Sequence, residues 1–149
     1  MAQHSTSGRP ILHEERLETK QALKTPARQA FEVLHWGFVA VPAIVGIDKF
    51  LHLMTNWDAY LAPQLAQLSP LSVPTMMRVT GVIEMAAGLI VALKPKIGAW
   101  IVAAWLAGII FNLALLGDNW DIAFRDFGLM LGAIALARLA AAHDRSEIA

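Results

Sequence analysis

Beyond about residue 30 the chain alternates between blocks of roughly twenty mostly apolar residues and short polar breaks, the block length that carries an α-helix across a bilayer. The first block runs from about residue 32 to 53, through VLHWGFVAVPAIVGIDKFLHL, and the second from about 75 to 93, TMMRVTGVIEMAAGLIVAL. A tight turn at Lys94-Pro95-Lys96 leads into the third, 97 to 116, and the fourth covers about 122 to 142. Pro42 falls in the middle of the first block, where a proline frees a carbonyl and is expected to kink the helix. One long loop, roughly Thr55 to Pro74, separates the first two blocks and carries three prolines together with Trp57 and Tyr60.

Residues 1–30 are polar, with Pro10 and Pro26 bracketing Ile11 to Thr25, where Leu12, Leu17, Ala22 and Leu23 are set among charges. This stretch reads as a short amphipathic helix near the membrane surface, and the absence of an apolar core and a small-residue cleavage site separates it from a signal peptide. The expected architecture is therefore all-α: an integral membrane bundle of four transmembrane helices over residues 31–142. A polar amphipathic leader (1–30) precedes it and a short polar tail (143–149) follows.

Composition supports this class. Of the 149 residues, 56% are hydrophobic and 16% charged, against about a quarter charged in soluble domains. Twelve basic and twelve acidic side chains leave no net field to attract nucleic acid. There is no cysteine, which excludes disulfides, thiol redox chemistry, iron–sulfur ligation and covalent c-type haem.

Orientation follows from the lysines and arginines. The leader holds Arg9, Arg16, Lys20, Lys24 and Arg28, the second turn Lys94 and Lys96, and the C-terminal end Arg138 and Arg145, whereas the long loop and the short loop Gly117 to Asp121 hold none. The positive-inside rule then places both termini in the cytoplasm, in the cytoplasmic (inner) membrane. Trp36 and Trp100 fall at inner span ends and Trp57, Tyr60 and Trp120 at outer ones, as interfacial aromatic belts require.

Six ionisable residues are left inside the spans: Asp48 and Lys49 near the end of the first, Arg78 and Glu84 in the second, Arg125 and Asp126 at the start of the fourth. At 1.5 Å per residue, five of them lie roughly 5–8 Å below the outer interface and Glu84 about 13 Å below it. Each unpaired charge costs on the order of 2.5–3.5 kcal/mol in lipid, so the six are expected to face one another or a wet cavity. Glu84 shares a helical stripe with Gly81 and Gly88, Arg125 shares one with Gly128 and Gly132, and Asn112 lies one turn after Gly108, so polar groups and small-residue packing faces coincide.

Two readings of this layer stand side by side: a neutral ion-pair network that sets helix register, or a pocket for a small polar head group lined by Asp48, Lys49, Arg78, Glu84, Asn112, Arg125 and Asp126. His52, one turn after Asp48, is a candidate proton donor to a quinone-type ligand. His35, beside Trp36, reads as interfacial and His4, His13 and His143 as tail residues. No catalytic triad, phosphate loop or metal-ligand spacing is present, so no catalytic residue and no metal site is assigned.

The order of motifs resembles a known family. The first span ends in G-x-D-K-F (Gly46 to Phe50), the second carries G-x-x-E-x-x-x-G (Gly81, Glu84, Gly88), a basic turn follows, and the fourth opens R-D-x-G-L (Arg125 to Leu129). This pattern, over roughly residues 33–140, is similar to the DoxX-like family of four-helix membrane proteins. Ser69 to Leu71 (S-P-L) is also similar to a related group of inner-membrane proteins linked to oxidative-stress resistance. The resemblance implies a helical bundle in the cytoplasmic membrane, with the family's Lys, Glu and Arg-Asp positions falling on Lys49, Glu84, Arg125 and Asp126. It also implies a link to quinone-coupled oxidation, since founding members are membrane subunits of a thiosulfate:quinone oxidoreductase. The absence of cysteine and the 30-residue leader depart from a minimal member and point to an accessory subunit.

Three functions follow as expectations. The chain is an accessory or quinone-facing subunit of a membrane redox complex, with no cofactor of its own, a quinone as the candidate ligand, and a membrane-protein partner or a second copy beside it. Alternatively it is a small-molecule or lipid-binding carrier gated by Glu84. The third reading is a scaffold or assembly factor acting through the GxxxG face of the fourth span.

Overall fold

The computed structural model describes the backbone of residues 9–148 and the side chains of residues 26–143. Helix α1 (Arg9–Leu51) leads into a loop with a 3-10 turn (Trp57–Tyr60) and the one-turn helix α2 (Pro63–Ala66). Then come α3 (Val73–Leu93), α4 (Pro95–Leu116) and α5 (Trp120–Ile148), with no strand among the described residues. Proline lies in the first turn of α2, α3 and α4, where its missing N–H costs nothing and its fixed φ starts the helix. Gly117 ends α4 with φ +87, and its N–H bonds the Leu113 carbonyl at 3.1 Å. At the end of α1, His52 takes φ +52, a conformation that favours glycine.

One expectation is corrected. The leader helix and the first span form a single helix of 43 residues that runs through Pro26 and Pro42. Pro26 removes one hydrogen bond but keeps a helical φ. The residues after it, Ala27 to Phe31, are mostly good helix formers, and Arg28 Nε donates to Glu32 Oε1 at 3.0 Å one turn on. The side chains of residues 9–25, on which the amphipathic reading rests, lie outside the described ones, as do those of His4, His13 and the tail beyond His143.

α1 packs on α3, α3 on α4, α4 on α5, and α5 returns to α1, so the four long helices close into a ring. Phe38, Ala87, Val91, Ala99, Val102, Leu106, Leu136 and Ala137 form the centre, contributed by all four. Small residues let the helices approach. A Cβ on Gly81 would lie 2.6 Å from the Gly46 carbonyl oxygen, one on Gly88 would lie 3.0 Å from that of Val39, and one on Gly98 would meet the Val91 amide nitrogen. Gly132 faces the Phe38 ring. Gly108 and Gly128, expected on packing faces, have nothing within 4 Å of a Cβ position; within this chain the GxxxG pair contributes only its second glycine.

The polarity of the bundle is inverted relative to a water-soluble protein. Large apolar side chains such as Trp36, Ile44, Leu89, Trp100, Phe111 and Phe124 are exposed, whereas Asp48, Lys49, Glu84 and Asp126 are each no more than 6% exposed. A water-facing surface would bury the first group and expose the second. Three helical segments, Pro26–Leu51, Val73–Leu93 and Pro95–Leu116, are long and apolar enough to cross a membrane. The fourth expected span lies within α5, whose apolar run is broken by Arg125, Asp126 and Arg138.

Candidate functional site

The end of α1, the starts of α3 and α5 and the end of α4 meet at one end of the bundle, beneath the loop 52–72. The close contact between α1 and α3 builds the centre of this end. Gly46 and Gly81 touch backbone to backbone, and one turn further along each helix stand Lys49 and Glu84. The short interaxial distance lets Lys49 Nζ donate to Glu84 Oε2 at 2.6 Å, with both side chains under a tenth exposed. Trp105, from α4, points its Nε1–H at the other carboxylate oxygen, Oε1, at 3.5 Å. The Lys49 ammonium also sits 4.1 Å from the centre of the Trp57 ring, a cation–π contact that gains strength where water is excluded.

Asp48 holds the loop over this pair. Its Oδ1 accepts from the Leu53 and Met54 amides at 3.0 and 3.2 Å, and its Oδ2 accepts from Met54 N at 3.2 Å and Trp57 Nε1 at 2.7 Å. The left-handed turn at His52 redirects the chain so that these amides face back to Asp48. A second strap comes from α4. Asn112 Nδ2 donates to the Tyr60 carbonyl at 2.6 Å, and its Oδ1 accepts from the Ala62 amide at 2.9 Å. Both ends of an amide side chain inside an apolar span thus bond the loop backbone, one donating and one accepting. The loop is a strapped cover over a buried ion pair.

The expected layer is assembled only in part. Lys49 and Glu84 meet directly, and Asp48 belongs to the same cluster through Trp57. Asp126 is buried, with Arg125 Nε donating to its Oδ1 at 3.1 Å from the neighbouring position on α5. Arg78 is exposed and pairs with no described acid, so it does not neutralise Glu84. His52 is exposed, and its part here is backbone conformation. Trp57 and Tyr60, read from the sequence as interfacial belt residues, carry the cover. Trp105 lies in an otherwise apolar stretch, and nothing in the sequence distinguishes it from a lipid-facing residue. Asp58 Oδ1, in the same cover, is buried without a hydrogen-bond partner.

At the opposite end of the bundle, where Lys94-Pro95 turns α3 into α4, a further polar contact has a signal in the sequence. The Val91 carbonyl would normally accept from the amide four residues on, but that residue is Pro95. His35 Nε2 lies 3.0 Å from this oxygen and supplies the missing donor, which places the imidazole proton on Nε2. Phe31 stacks between His35 and His143, with ring centroids 5.4 and 5.2 Å apart.

Chemically, the covered end gathers a buried ammonium and two buried carboxylates with two indole N–H groups that bond those carboxylates, a combination able to hold a proton. Comparison of the chain with family models, with curated proteins and with solved structures finds no match.

Proposed function

We propose that the chain is an integral membrane protein of four spans, with both termini cytoplasmic in the inner membrane, that serves as an accessory or quinone-facing subunit of a membrane redox complex. The observation that carries this reading is the Lys49–Glu84 pair, buried between α1 and α3 and covered by Trp57. A quinone head group is a flat ring with two carbonyl acceptors, and its reduction takes up protons. The Lys49 ammonium has donors beyond the one it gives Glu84 and suits a carbonyl, indole rings suit the ring face, and the Glu84 carboxyl group suits proton relay. The electrons would come from cofactors of a partner. The order of Lys49, Glu84 and Arg125-Asp126 along the spans, which resembles the DoxX-like pattern, supports the same class.

Native mass spectrometry of the chain, extracted gently from its own membrane, tests the proposal. A redox protein retained at fixed stoichiometry, or a bound quinone lost in Glu84→Gln, is the expected result; a bare chain with neither overturns it. A scaffold role has one specific observation in its favour, the open surface at Gly128. Gly128→Ile is the variant that tests it, since Gly132 packs against Phe38 and its replacement would disturb the bundle itself.

A further inference from the structure

Within the helices at the covered end, Asp48, Lys49, Glu84 and Asp126 are buried, whereas two arginines are exposed, as are Asp118 and Asp121 at the start of α5: Arg78 is exposed and the Arg125 side chain is 65% exposed. Their placement is matched. Arg78 is five residues past Val73 at the start of α3, and Arg125 is five residues past Trp120 at the start of α5. Both helices begin at this end, so both arginines lie about 7.5 Å along their helices. Yet α3 and α5 stand diagonally, each packed on α1 and α4 rather than on the other. The two arginines therefore stand on different sides of the bundle.

Exposed apolar residues flank both, Val79 and Val82 near Arg78 and Phe124, Phe127 and Leu129 near Arg125, with exposed Thr75 and Asp121 one turn before them towards the helix starts. Arg125 uses its Nε on Asp126 and forms no other hydrogen bond or ion pair among the described residues, and Arg78 forms none with them. A guanidinium on a hydrocarbon-facing surface is costly unless it reaches a polar partner, and arginine's long stem lets it rise to the interface. The partner must be anionic, must offer oxygens to a planar fork, and must be present on more than one side of the bundle. The phosphodiester of a lipid head group meets all three conditions, because the head-group layer surrounds the bundle and guanidinium binds phosphate through two parallel hydrogen bonds. An acidic protein partner would cover one side and leave the other arginine bare.

We propose that Arg78 and Arg125 form two separate phospholipid sites, each gripping one phosphate, that set the depth of the bundle in the leaflet at its covered end. The inference rests on the membrane-spanning reading. The test is native mass spectrometry of the full chain in mild detergent, titrated with phosphatidylglycerol and, in parallel, with diacylglycerol of the same chains, which lacks the phosphate. The expected result is two tightly held phosphatidylglycerol molecules in the unaltered chain, one in Arg78→Gln or Arg125→Gln and none in the double variant. Affinity at each altered site should fall about tenfold, and Arg78→Lys, which keeps the charge but loses the fork, should fall between. Equal lipid counts in all variants, or equal binding of diacylglycerol, would overturn the proposal. So would release of a co-purifying protein by the glutamine variants with the lipid count unchanged. Alkaline carbonate extraction separates the two claims. A chain washed off the membrane sinks the spanning reading, and a chain that stays, with unchanged lipid counts in the variants, sinks the lipid sites alone.

Discussion

The two ends of the bundle solve the same problem, closing helices together in an apolar setting, by different means. At the turn end the work is done by shape. Gly98 lets α4 close onto Val91, Val91, Ala99 and Leu136 are fully enclosed, and His35 supplies the one donor that Pro95 cannot. At the covered end it is done by polar pairing. Lys49 meets Glu84, Asp48 gathers three donor groups, and Asn112 bonds the loop backbone with both its amide nitrogen and its oxygen. The turn end closes with a single side-chain bond to the backbone, so the covered end carries more polar pairing than its counterpart, and the proposed function is assigned to that end.

The comparison can be broken first at the ion pair. Lys49→Met leaves Glu84 buried without its cation and should cost about 3–5 kcal/mol of stability. The double variant Lys49→Met/Glu84→Leu should recover most of that loss, since apolar side chains of similar volume often replace a buried pair at little cost. Unfolding of the detergent-solubilised chain measures both, and a double variant as unstable as the single one would show that the pair is required for the fold itself.

The glycines sharpen the contrast next. Gly81→Ala places a methyl group 2.6 Å from the Gly46 carbonyl oxygen, and relieving that overlap should cost about 1–3 kcal/mol and loosen the Lys49–Glu84 contact. Gly128→Ala, where nothing lies within 4 Å, should leave stability unchanged or raise it slightly through better helix propensity. Equal losses at both positions would mean that the Gly128 surface is covered in the assembled protein.

The smallest effect is expected at the turn end. His35→Leu leaves the Val91 carbonyl buried without a donor and should cost about 1–2 kcal/mol. Pairing it with Pro95→Ala, which restores an amide four residues after Val91, should return part of the loss. A full loss persisting in the double variant would show that stacking on Phe31 is what His35 contributes.

Much of this was legible in the sequence because it depends on local pattern. The apolar blocks, their proline starts and the turn at Lys94-Pro95 mark α3 and α4 to within a few residues, since hydrophobic run length and missing N–H groups are local properties. The continuity of α1 was not legible. A proline within a chain signals a break, and only the neighbouring helix formers and the Arg28–Glu32 contact decide that the helix continues.

The sequence by itself determined that charges would sit within apolar helices and that small residues would bring those helices close. Which charge meets which was decided by tertiary structure. Arg78 lies six residues before Glu84 on α3, about 120° away around the helix, so the cation for Glu84 comes from another helix, and the Gly46–Gly81 contact is what brings α1 and its Lys49 within reach. The same holds for Trp57, Tyr60 and Asn112. Their types fit an interface or a packing face, and only the return of the loop over the bundle end makes them its cover. The cause is one of range. Hydropathy and helix propensity act within a few residues, whereas ion pairs and loop straps join positions 35 to 52 residues apart, and only the packing of the helices sets which of them meet.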